Sequence, residues 1–259
     1  MKPPARAAVL LTRLGLVLGF FGLWEAGSAL GWLDALFFGR PSAILADFWG
    51  LVLSGQIFIH AGVTLQEALT GFLLGSALGV AMAFWLASSP FWEKVLDPII
   101  MLVYSIPRIA LAPLFVLWFG LGATSKVVFA FMLVLFLVFF NTFAGLREVD
   151  RRVVDAVRVM GASRRQLLVK VILPAITPWV LAGFKSGVAM SLLGAIVGEY
   201  VGGNAGLGWM INSAAGLFQT NRVFAALLAL GLMVVALNQL MGRLERRALK
   251  WRPNSNLLS

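Results

Sequence analysis

Cysteine is absent from this chain, and histidine occurs once, at His60. Disulfides, thiolate metal sites and histidine-clustered metal centres are therefore excluded. Charge is scarce as well. Only 12% of the 259 residues are Asp, Glu, Lys or Arg, against roughly 25% in a typical soluble domain. Acids are the scarcer sign, 11 against 21 Lys and Arg. No Gly-Lys dipeptide occurs, and a P-loop needs that pair followed by Ser or Thr to cradle phosphates. With one histidine, no cysteine and few acids in apolar surroundings, no catalytic constellation stands out, so no catalytic residue, metal or cofactor is assigned. Apolar residues fill the remainder: 60% of the chain is hydrophobic and the mean hydropathy is +0.92. A water-soluble fold of this size could not hide that much apolar surface.

A helix needs about 20 mostly apolar residues to cross a bilayer. Six segments meet this requirement: about Val9–Leu30, Leu65–Ser88, Pro98–Phe119, Val127–Leu146, Ile176–Val201 and Val223–Gly242. The expected fold class is an all-α polytopic membrane protein, with the six spans forming one transmembrane domain over 1–259. The loops set the orientation. Lys2, Arg6 and Arg13 mark the N-terminus, and Arg147, Arg151, Arg152, Arg158, Arg164, Arg165 and Lys170 crowd the loop 147–174. Arg243, Arg246, Arg247, Lys250 and Arg252 mark the C-terminal tail. The alternate loops hold only Arg40, Lys126 and Arg222. Lys and Arg are retained on the cytoplasmic side, so both termini and the basic loop are expected there; the base excess serves orientation, not nucleic acid. The first run, with its basic flank, also fits a signal peptide, but it is long and no clean A-x-A site follows, so a retained signal-anchor is expected. Between the first two spans, Phe48, Leu51 and Val52 form an apolar stripe with Asp47 and Ser54 off it, a short amphipathic helix at the interface.

The loop Glu148–Pro174 is the most informative stretch. Val149, Val153, Val157 and Met160 recur at helical spacing, with charges over much of the other face. Gly161 supplies a turn, because Gly adopts φ > 0 cheaply. Ser163 opens a second helix, and Gln166 three residues on completes a capping box. Pro174 falls where a proline can enter the next span. Helix, turn, short helix and span together make a compact knob. Charge alone fits a basic hairpin lying on anionic lipid; the glycine-centred break and the residue order fit docking to a partner protein.

Asp155-Ala156, Gly161 five residues later and Ile172-Leu173-Pro174 resemble the E-A-A…G…I-x-L-P signature of binding-protein-dependent ABC importer permeases. Asp155 stands where that pattern has Glu, Val157 where it has the second Ala and Val171 where it has Ile; acidic and small apolar character survive. Asp97-Pro98, Ile106-Pro107, Ala112-Pro113-Leu114, Trp118-Phe119-Gly120, Ser125-Lys126, Glu199 and Gly206-Leu207-Gly208 resemble the nitrate/sulfonate/taurine branch. The likeness runs from about the second span to Trp251. It implies a type I importer permease in the bacterial plasma (inner) membrane. Two permeases, expected to be identical, would pair around a central pathway, with separate ATPase subunits on the cytoplasmic knobs and an external binding protein delivering a small oxyanion. It places the ATPase-coupling contacts on Asp155, Ala156, Gly161, Ala162, Ser163, Leu173 and Pro174.

Three charges inside spans are candidates for the substrate pathway, since a charge in the hydrocarbon costs roughly 2.5–3.5 kcal/mol on insertion scales. Arg108 lies near mid-membrane by counting, between Pro107 and Pro113, where the span is expected to be kinked or discontinuous. Its structural alternative is a pairing with a buried carboxylate or a carbonyl. Lys185 either takes part or snorkels to the cytoplasm. Glu199 precedes Val201-Gly202-Gly203 and either anchors an external gate or makes a structural hydrogen bond. Gly71, Gly75 and Gly79 permit close helix approach. The rival reading is a single-chain secondary transporter driven by an ion gradient, which calls for inverted repeats and matched buried carboxylates. A channel and a membrane enzyme lack a filter sequence and a catalytic constellation, respectively.

Overall fold

The computed structural model describes residues 6–251; Lys2 and Arg252 of the charge pattern lie outside them. Among the described residues the regular elements are all helical. In chain order they are α1 (Arg6–Ala29), α2 (Ala35–Phe38), α3 (Pro41–Leu53), α4 (Gln56–Ala87), α5 (Pro90–Ser105), a 3₁₀ turn (Arg108–Leu111) and α6 (Ala112–Phe119). Then follow α7 (Ala123–Arg147), α8 (Arg151–Val159), α9 (Arg164–Leu167), a π turn (Leu168–Ile172), α10 (Leu173–Gly202), α11 (Leu207–Gly216) and α12 (Thr220–Ala248). Five helices are long and apolar enough to cross a membrane, and α5 with the segment Arg108–Phe119 makes a sixth candidate, bent by 75°.

Several helices outrun the apolar segments that announced them. α4 starts at Gln56, not near Leu65, and its 32 residues extend about 48 Å, well past a bilayer core of about 30 Å. An apolar window detects only the hydrocarbon-facing part of such a helix. The helices that carry the third apolar segment start at Pro90 and are discontinuous, one of the two forms expected of it. Pro107 cannot donate to the preceding turn, and Ile106 before it is extended at φ −67°, ψ 132°. The short helix expected between the first two spans is α3, on which Leu51 is buried and Phe48 and Val52 pack against its cluster.

α4, α7 and α10 form the centre. A Cβ on Gly71 would stand 2.6 Å from that of Ala130, and one on Gly75 would stand 2.7 Å from the Phe131 carbonyl oxygen. The spacing of these glycines thus lets two backbones touch. A second cluster joins α3, α4, α11 and α12 through Leu51, Ile57, Leu207, Met210, Ala225 and Ala226. α1 stays at the margin with Leu16, Leu18 and Leu23 exposed. It is pinned by Glu25, which receives the Arg40 guanidinium at 2.5 Å and the Ser42 amide and hydroxyl at 3.0 and 2.8 Å.

Candidate functional site

The knob assembles as its sequence chemistry dictates. The Asp150 carboxylate caps α8 by accepting from the Arg152 amide at 2.8 Å. Gly161 turns the chain at φ +87°. The capping box closes with the Ser163 amide donating to Gln166 Oε1 at 2.8 Å and the Gln166 amide to Ser163 Oγ at 3.3 Å. Asp155, Ala156, Gly161, Ala162 and Ser163 therefore stand together on the exposed end of the loop, where Asp155 meets Arg158 at 3.5 Å. Leu173 and Pro174 lie beyond the π turn, at the foot of α10.

The second short helix leads directly into the span. It runs into α10 through the π turn, because Pro174 offers no amide and its ring crowds the carbonyl four residues back. The knob is thus joined to α10 by continuous helix. The apolar stripe is displaced: Val149, Val154 and Val157 are half-buried, while Val153 is exposed and Val159 and Met160 are 89% and 84% exposed. The tip of the knob is apolar and uncovered.

Arg108 lies at the break between α5 and α6. Its guanidinium carbon stands 4.3 Å from the Tyr104 ring centroid and 5.8 Å from that of Phe136, which is halfway along α7. Neither the carboxylate nor the carbonyl partner considered for it is found among the described residues. Among the described residues no ion pair or side-chain hydrogen bond engages it, and its contacts are the two aromatic rings. Lys185 is engaged elsewhere: its amine meets Glu245 of α12 at 3.1 Å.

Glu199 belongs to a third place, at the far end of α10 from the knob, with residues the sequence did not group with it. Lys126, expected in a solvated loop, is 2% exposed on α7. Its amine is taken up by backbone carbonyls: that of Leu121, that of Gly122 at 3.0 Å and that of Gly202 at 3.1 Å. Glu199 is fully buried, and Glu67 is 5% exposed. Glu199 Oε2 accepts from the Gly208 amide at 2.7 Å, Thr64 Oγ1 from the Leu207 amide at 2.8 Å and His60 Nδ1 from the Gly206 amide at 3.1 Å. The first amides of α11 have no cap of their own, since Gly206 has no side chain, and α4 and α10 supply the acceptors. A signal was present: His60, Thr64 and Glu67 repeat at four and three residues, a polar stripe on a mostly apolar helix. Arg108, Lys185 and Glu199 thus occupy three separate environments.

The family of binding-protein-dependent transport system inner membrane components matches residues 75–250. A putative aliphatic sulfonates transport permease protein of Bacillus subtilis is 35% identical over 230 residues, covering 89% of this chain and 83% of its own. A riboflavin transport system permease protein of Chloroflexus aurantiacus is 37% identical over 228 residues, covering 88% and 85%. Among solved structures, an inward-facing conformation of the MetNI methionine ABC transporter superimposes with a TM-score of 0.60 at 20% identity, over 76% of this chain and 95% of that one. At that identity the likeness shows the fold, that of a type I importer permease. The ion-gradient alternative finds no support among these relatives. With 176 of 259 residues matched by one family (residues 75–250) and a relative at 35% identity along most of its length, the chain belongs to the binding-protein-dependent transport system inner membrane components: it is the membrane-spanning permease of an ABC importer, itself not an enzyme, with ATP hydrolysed on a separate subunit.

Proposed function

We propose that this permease carries a small oxyanion, such as nitrate, a sulfonate or taurine, along a pathway passing Arg108. The names of its relatives do not decide the solute, since one is a sulfonate permease and another a riboflavin permease. The observation that carries the reading is the Arg108 guanidinium, held over Tyr104 beside a break in the helix ladder, with no ion pair to an acid among the described residues. An unanswered guanidinium in apolar surroundings lowers the desolvation cost of an anion and offers it paired donors. The aromatic face orients the guanidinium while leaving its N–H groups free.

The chain acts in the bacterial plasma (inner) membrane as one of two identical copies, with its termini and the loop 147–174 cytoplasmic. The base distribution supports that orientation. Exposed apolar residues on both sides of Arg108, among them Leu102, Ile109, Leu117 and Trp118, support a second copy facing the broken helix. α1 faces lipid. The coupling surface is Asp155, Ala156, Gly161, Ala162 and Ser163, with Val159 and Met160 as the apolar tip an ATPase subunit would cover and Leu173-Pro174 as the rigid root. Glu199 holds the external loop 203–208. Lys185 is neutralised by Glu245, so the pathway rests on Arg108.

The test is uptake into vesicles of the complete transporter, with its ATPase and binding protein, using taurine, an alkanesulfonate, nitrate and riboflavin in turn. Oxyanion uptake should fall at least tenfold in Arg108→Gln and partly recover in Arg108→Lys, with normal yield of the complex. Undiminished oxyanion uptake in Arg108→Gln would refute the reading.

A further inference from the structure

A buried amine is unfavourable unless each of its donors finds a partner. Lys126 meets that condition through backbone alone. An ammonium has three N–H groups, and Lys126 Nζ donates to three carbonyls, those of Leu121, Gly122 and Gly202. The first two lie in the turn between α6 and α7, and the third is the last residue of α10. The carboxyl groups of Glu67 and Glu199 face the amine from α4 and α10 and answer its charge within the same cluster. An apolar side chain could fill this space without the desolvation cost. It could not bind the end of α10 to the turn 120–122.

Packing brings the same two segments together. A Cβ on Gly202 would stand 2.8 Å from Val116 Cγ1 on α6 and 3.1 Å from Leu121 Cδ2. Val197 of α10 packs on Ala112 and Phe115 of α6. Seven of the eight residues of α6 are apolar in every side-chain atom, Trp118 being the exception. The turn after α6 is therefore where a directional bond to α10 can be made.

Each partner in this joint leads somewhere. α10 rises from the knob through the π turn, and its 30 residues extend about 45 Å to Gly202. α6 follows directly on the 3₁₀ turn that begins at Arg108. A displacement of the knob thus has a continuous physical route: along α10, across the Gly202 carbonyl to Lys126, into the turn 120–122 and down α6 to Arg108.

We propose that Lys126 is a positioning residue that latches the broken third span to the far end of α10, so that movement of the knob reaches Arg108. The inference rests on the pathway passing the broken span, as proposed above, but its test needs no solute.

The experiment uses the complete transporter in nanodiscs, with its ATPase and binding protein, before and after trapping with ATP and vanadate. The chain has no cysteine, so one introduced thiol reports alone. Ile109→Cys reports beside Arg108 and Val169→Cys at the π turn, both at exposed positions. The readout is the rate of maleimide labelling in the two states. With Lys126 in place, each rate should change roughly fivefold or more on trapping. Lys126→Met keeps the unbranched stem and removes the donors. It should abolish the change at Ile109→Cys and preserve that at Val169→Cys. Gly75→Ala loosens α4 against α7 without touching the joint and should preserve both, which separates latching from lost stability. Should Lys126→Met fail to assemble, Gly202→Ala opens the joint from the other side by pressing on Val116. The change at Ile109→Cys should then be lost, and Val116→Ala added to Gly202→Ala should restore it. A change at Ile109→Cys that persists in Lys126→Met or Gly202→Ala overturns the latch. So does loss at both labelled positions, loss in Gly75→Ala, or no change at Ile109→Cys with Lys126 present. Undiminished oxyanion uptake in Arg108→Gln, with the change at Ile109→Cys lost in Lys126→Met, refutes the Arg108 reading and leaves the latch standing.

Discussion

Thr64→Val isolates one of the side-chain acceptors that hold α11. The substitution keeps the branched shape and removes a fully buried hydroxyl that accepts from the Leu207 amide at 2.8 Å. Leu207 is itself fully buried, so its N–H would be left without partner or water. An unmade buried hydrogen bond costs about 1–3 kcal/mol. α11 has only 10 residues, too few for a helix to persist by propensity. The cost should therefore appear locally, as opening of the first turn of α11. At about 1.4 kcal/mol per factor of ten, amide hydrogen exchange over 206–210 should accelerate roughly five- to a hundredfold. Exchange in the centre of α7 should not change. Thr70→Val is the control: its hydroxyl donates to the Gln66 carbonyl on the exposed side of the same helix and holds nothing else. Unchanged exchange over 206–210, or an equal acceleration throughout the bundle, would refute the view that α4 caps α11.

Three further outcomes follow from packing and backbone geometry. Gly75→Ala should lower detergent-solubilised stability by about 1–3 kcal/mol in thermal unfolding, since its Cβ would meet the Phe131 oxygen at 2.7 Å, while Gly62→Ala, with nothing within 4 Å, should not. Gly161→Val strains a φ of +87° by about 1–2 kcal/mol in open space, so the subunit should insert at a normal level while co-purification of the ATPase or solute uptake per ATP falls; full binding with full uptake would leave the lipid-surface reading of the loop. Lys185→Gln should shift thermal stability by less than about 1 kcal/mol, because its pair with Glu245 is half in solvent.

Local chemistry accounts for what was legible beforehand. The apolar runs announce the long helices because each is satisfied by its own residues. The Ser163–Gln166 capping box and the positive φ of Gly161 depend on neighbours within a few positions. Pro107 and Pro113 marked the third span as irregular. Its 75° bend and the seat of Arg108 on Tyr104 and Phe136 were not visible, since Phe136 comes from another helix.

By itself the sequence determined the membrane-embedded helical class, the charge asymmetry and the shape of the knob, all of which follow from composition or from contacts a few residues apart. Tertiary structure alone decided the fate of the polar residues. Lys126 has the look of a loop cation, yet it is buried because the carbonyl of Gly202 comes to it from 76 residues away. His60 and Thr64 become caps for α11 only because Gly206 and Leu207, 146 and 143 residues on, arrive beside them. A buried polar group must find a partner, but its own stretch of chain does not say which one, because the partner is chosen by how α4, α7 and α10 pack.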